Sequence, residues 1–137
     1  MHKKEAEMAF FTRFLKKYPL SILCIITVWV LSLMPVPETP LKEIRYIDKW
    51  THLVMYGGTC AVIWTEYLRS HKKPSKKKLV LLAWLAPALM GGLLEVLQAY
   101  CTGGCRSGDW IDFIANALGA TLTLGGGMLW VWSRAKR

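Results

Sequence analysis

Two long stretches of the chain carry no charge: residues 18–37, twenty positions, and residues 113–133, twenty-one. Two uncharged runs of sixteen lie between them, residues 50–65 and 79–94, the second continuing past Glu95 and Gln98 to about Tyr100. A membrane-crossing helix needs about 17–25 mostly apolar residues. The pattern therefore predicts spans over about 18–37, 49–68, 79–100 and 110–132. Soluble helices of this length would show a polar stripe, and the first and last runs show none. The first run is longer than the apolar core of a signal peptide and no A-x-A-like site follows, while Pro35, Pro37 and Pro40 mark a helix exit, so it is expected to be retained. The fold expected is all-α: an integral membrane four-helix up-down bundle forming one domain over residues 1–137.

Composition agrees. Apolar residues make up 53% of 137, too many for a disordered chain, and four spans of about 20 residues would use most of them. The net charge of +9 takes its meaning from where the basic residues lie. Lys3, Lys4, Arg13, Lys16 and Lys17 precede the first span, Arg69, Lys72, Lys73 and Lys76 to Lys78 join the second to the third, and Arg134, Lys136 and Arg137 follow the fourth. Only Lys42, Arg45, Lys49 and Arg106 fall on the opposite side. By the positive-inside rule both termini are cytoplasmic, which in a bacterium means a multi-pass protein of the inner membrane. The run KKPSKKK lacks interleaved aromatics and abuts two spans, so no nucleic-acid partner is expected. Trp50 and Trp110 at the outer ends, and Trp64, Tyr67, Trp130 and Trp132 toward the inner ends, fit two interfacial belts.

Six of the nine acidic residues fall on the outer side, and there the polar residues follow helical spacing. Lys49, His52 and Tyr56 stand at i, i+3 and i+7; Glu95 and Gln98 at i and i+3; Asp109, Asp112 and Asn116 again at i, i+3 and i+7, just after Arg106. Three helices thus bring polar stripes to one depth. Ionisable groups at such depths face one another or a wet cavity rather than lipid. Two readings are open: an ion-pair cluster that holds the helices together, or a pocket that binds or transforms something at the outer leaflet. The variety of side-chain chemistries favours the second.

These same residues carry a resemblance. The segments DKWTHLVMY (residues 48–56), GGLLEVLQ (91–98) and RSGDWIDFIANALG (106–119) look like the three motifs of VanZ-like membrane proteins, in order and across nearly the whole chain. The resemblance implies a small bacterial membrane protein of a family whose namesake is linked to resistance to the lipoglycopeptide teicoplanin, with Lys49, His52, Tyr56, Glu95, Gln98, Arg106, Asp109, Asp112 and Asn116 as the matching polar positions.

The expected chemistry has Glu95 and His52 as an acid–base pair, with Asp112 beside them, and Lys49 and Arg106 as clamps on a phosphate or carboxylate. Tyr56, Gln98, Asp109 and Asn116 complete the pocket. An enzyme built this way would be a hydrolase or transferase acting on a lipid or lipid-linked headgroup. The alternative is a non-catalytic protein that binds a lipid or the lipoglycopeptide. His52, Glu95, Asp109 and Asp112 would also suit an oxygen-rich metal site, but no HExxH or CxxC spacing is present and no metal is assigned; no cofactor follows from the sequence. Cys101 and Cys105 flank TGG in the outer loop, where a disulfide and two free thiols are equally consistent with the spacing. Gly57-Gly58, Gly91-Gly92 and Gly119 are expected to allow close helix approach.

Overall fold

A computed structural model describes residues 1–35, 40–44, 46–104 and 108–137, and these are helical throughout apart from turns and connections. The helices are α1 (His2–Lys17), α2 (Pro19–Leu33), α3 (Ile47–Ser70), α4 (Lys76–Cys101) and α5 (Trp110–Ala135), with a 3-10 turn at Pro40–Glu43.

Prolines set the boundaries of α2. Pro19 sits at its first position, where the missing N–H costs nothing. Met34 is extended, with φ −73° and ψ 148°, because a residue preceding a proline is held out of the α region. The first expected span of 18–37 therefore shrinks to 15 helical residues, about 22 Å long; residues 36–39 lie outside the described residues. Upstream, the basic segment folds as α1, a helix the hydrophobic pattern did not bring out, and it meets α2 at 87°. The carboxylate of Glu66, from the far end of α3, accepts hydrogen bonds from the Leu20 and Ser21 backbone N–H groups (3.0 and 2.9 Å) and from the Ser21 hydroxyl (2.6 Å). It caps the positive end of α2 at the bend.

The rod α4 contains a π-helical turn at Leu81–Leu85, in which the Ala86 N–H reaches back to the Leu81 carbonyl. Pro87 follows at once. A proline inside a helix lacks the N–H and crowds the carbonyl four residues back; widening the preceding turn removes the clash without breaking the rod.

Helices α3 and α5 pack most closely, through glycine. A Cβ at Gly119 would run into the Leu53 carbonyl, one at Gly57 would stand 3.3 Å from the Gly119 carbonyl oxygen, and the Thr123 hydroxyl donates to the Gly57 carbonyl at 2.8 Å. Gly127 lies directly beneath the Trp64 ring. Gly58, in contrast, faces open space and does not serve close approach. Trp64 and Tyr67 are buried rather than placed in a belt, because they lie on the inward face of α3 with Ile63, beside Leu79 and Ala83 of α4. Trp50, Trp110, Trp130 and Trp132 are exposed, as interfacial rings would be, with Arg134 and Lys136 lying over Trp130 and Trp132.

Two helices, α4 and α5, are long and apolar enough to cross a membrane; α1 and α2 reach that standard only when taken together across their bend. Helix α3 has the length, with 24 residues, but is not among those apolar enough. Its inward face carries His52, Tyr56, Thr59 and Glu66, and Asp48, Lys49 and Arg69 near its ends dilute its apolar character further. The described residues are thus all-α, with the two or three candidate spans of a membrane protein.

Candidate functional site

The start of α3, the start of α5 and the end of α4 meet at one end of the molecule, and there the polar stripes converge. Lys49 is the hub. Its ammonium donates to Asp112 in a short contact and to Asp109 at 2.9 Å, with Asp48 at 3.4 Å. Asp109 is the N-cap of α5, its carboxylate accepting from the Ile111 N–H at 2.9 Å, and Asp112 lies in the first turn, where the helix dipole favours negative charge. The hydrogen bond from Lys49 and that from the Ile111 N–H hold the Asp109 carboxyl below the usual aspartate range.

His52 lies one turn deeper and is only 4% exposed. Its Nδ1 stands 2.9 Å from the Asn116 side-chain oxygen, and the other ring nitrogen is Nε2. That nitrogen faces two carboxylates, Asp112 at 3.7 Å and Asp48 at 3.8 Å. Glu95 approaches the other side of the ring, its Oε1 4.0 Å from Nδ1, while its second oxygen accepts the Asp109 backbone N–H at 3.0 Å. Glycine at 108 makes this junction possible, since any Cβ there would overlap the Glu95 carbonyl.

Of the expected site residues, Lys49, His52, Glu95, Asp109, Asp112 and Asn116 form one connected cluster. Tyr56 is buried beside it; a Cβ at Gly91 would stand 3.1 Å from both the Tyr56 ring and the Asn116 amide nitrogen, which defines how tightly the three pack. Gln98 joins a different contact, its amide donating to the Ser32 carbonyl of α2 at 2.7 Å. Arg106 and Cys105 lie outside the described residues; Cys101 is exposed and has no disulfide partner among the described residues.

Two participants were missed by the sequence reading. Asp48 stands at i and i+4 with His52, a spacing the sequence shows, yet it is not among the expected site residues. Glu66 is the other, and nothing in the sequence pairs it with the start of α2.

Asp48, His52 and Asp112 place one possible ligand atom each within 4.8 Å of one another, a grouping that suits a small cation and in which Asp48 stands where the sequence had offered Glu95 and Asp109. The Lys49 ammonium already neutralises one oxygen of Asp112. The side-chain nitrogen of Asn116, wholly buried, finds no hydrogen-bond partner among the described residues. Such an orphan costs about 1–3 kcal/mol; the Trp64 indole nitrogen in the apolar core is another among the described residues.

Compared with protein-family models, curated proteins and solved structures, the chain matches none.

Proposed function

We propose that the protein is a VanZ-like bacterial inner-membrane protein in which α2 to α5 form a four-span up-down bundle with both termini cytoplasmic, and that its polar centre acts on an anionic cell-envelope component at the outer leaflet. The three motif segments support the family reading. The outer placement rests on the basic residues, which concentrate at the opposite end of the chain's helices.

One observation carries the functional reading: three helices bury His52 between two carboxylates, Glu95 4.0 Å from Nδ1 and Asp112 3.7 Å from Nε2. With Nδ1 committed to Asn116, Nε2 is the atom that takes a proton from an attacking hydroxyl or water. Asp112 and Asp48 then stabilise the positive ring, as a carboxylate beside a catalytic histidine does. Glu95 supplies the proton to the leaving group. Lys49, fixed by Asp109 and Asp112, and Arg106 hold the anionic headgroup. The reaction is hydrolysis or group transfer on a lipid or lipid-linked headgroup, with changed teicoplanin susceptibility as its outcome.

A second reading is binding of the lipid or lipoglycopeptide without chemistry, while the internal pairing of Lys49 with Asp109 and Asp112 is what an ion-pair cluster that only holds the helices together would also show. Expression of the wild type and of H52A, E95Q and R106A in a susceptible bacterium separates the two, with membrane abundance measured alongside teicoplanin tolerance. Catalysis requires H52A and E95Q to abolish tolerance at unchanged abundance. If E95Q keeps tolerance while R106A loses it, the protein binds without reacting. If the wild type confers none, the proposed outcome is wrong.

A further inference from the structure

The opposite end of the molecule holds a second site. Phe10, Arg13, Phe14 and Lys17 stand at i, i+3, i+4 and i+7 on one face of α1, and the right-angle bend turns that face toward α2 and the π-helical turn of α4. Together they enclose a groove of about 570 Å³, the size of a small-molecule site. Ile22, Ile25, Leu82 and Met90 give it apolar walls, and Arg13 and Lys17 of α1 line it as well.

We infer that this groove binds one anionic phospholipid from the leaflet nearest α1, its headgroup against Arg13 and Lys17 and one acyl chain along Ile22, Ile25, Leu82 and Met90. The inference rests on the membrane-spanning reading and is independent of what the polar centre does. Charge complementarity selects the occupant. Arg13 has no acidic partner among the described residues, and Lys17 donates only to His71 Nε2, at 3.1 Å, itself fixed by the Tyr67 carbonyl. Glu66, the buried carboxylate at this end, is turned into the start of α2, where Leu20, Ser21 and Arg69 surround it. Two cations therefore stand uncompensated over a hydrocarbon-lined slot. Met8, Phe11 and Leu15 are exposed as well, at i, i+3 and i+7 on an adjoining face of α1.

The test uses the purified full chain, equilibrated in mixed micelles holding phosphatidylglycerol and phosphatidylcholine in equal amounts, with retained lipid read by native mass spectrometry. The wild type should retain one phosphatidylglycerol in preference to phosphatidylcholine. R13Q/K17Q should lower that preference about thirtyfold, the effect of two cations beside an anionic headgroup. L82W, which fills the groove and leaves every charge in place, should lower retention of both lipids. K72Q/K73Q removes two cations outside the groove and should change nothing. The inference fails if the wild type shows no preference, if R13Q/K17Q or L82W retains lipid as the wild type does, or if K72Q/K73Q loses preference equally, which would mark diffuse surface attraction.

Discussion

Glu66 clasps Ser21 with two hydrogen bonds to a single carboxylate oxygen, one from the backbone N–H at 2.9 Å and one from the hydroxyl at 2.6 Å, across 45 residues of sequence. A buried carboxylate at a helix N-terminus satisfies donors that the helix cannot satisfy itself. Glu66→Ala leaves those donors unpaired and should destabilise the protein by about 3 kcal/mol, within the range for hydrogen bonds to a charged group. Glu66→Gln keeps an acceptor and should cost less. Thermal unfolding in detergent, followed by tryptophan fluorescence, measures both.

Lys49 and Asp112 are coupled as a partly buried ion pair, with side-chain exposures of 24% and 7%. Removing one partner strands the other. Lys49→Met and Asp112→Asn should each destabilise, while the double variant should lose less than their sum, with an interaction energy of about 1–3 kcal/mol. A double-mutant cycle on unfolding free energies gives the figure directly; additive losses would show that the pair acts separately.

Acid should weaken this end of the molecule. Because the Lys49 hydrogen bond lowers the Asp109 carboxyl in the folded protein, the unfolded chain binds the proton first as pH falls. The stabilisation is complete above the ordinary aspartate range near about 4 and is lost as pH drops through the lower folded value. With 40% of its side chain exposed, Asp109 is screened by solvent and ions, so the slope should shrink in high salt. Tm measured across acidic pH should fall less steeply in Lys49→Met than in the wild type.

Two glycines of similar sequence setting should respond oppositely. Gly119→Ala forces a methyl group against the Leu53 carbonyl and should cost about 1–3 kcal/mol, the usual price of overpacking. Gly58→Ala meets nothing within 4 Å and should be neutral or slightly stabilising, since alanine favours helix. Paired melting curves test the contrast.

The helices that carry the polar stripes were legible because their uncharged runs and i, i+3, i+7 spacings are local signals. Those spacings correctly brought Lys49, His52, Glu95, Asp109, Asp112 and Asn116 together, since residues on one helix face must share whatever that face meets. Gln98 obeyed its spacing and still bonded elsewhere, because two residues at i and i+3 diverge enough for Glu95 to meet α5 while Gln98 reaches Ser32 of α2. Helix α1 escaped notice because its apolar residues alternate with seven charged ones, which reads as a basic tail unless its helical faces are separated. The Glu66 cap and the inward turn of Trp64 and Tyr67 depend on which helix becomes the neighbour, and that is decided by tertiary packing.

The π-helical turn at Leu81–Leu85 sets the phase of everything that follows it in α4. Such a turn accommodates one residue more than the α-helix would, and each residue corresponds to about 100° of rotation. Deleting a single residue there would let the rod wind regularly, yet would swing Glu95 roughly a quarter-turn away from His52. A bulge beside the groove between α1 and α2 is thereby what aims a carboxylate two to three turns further along.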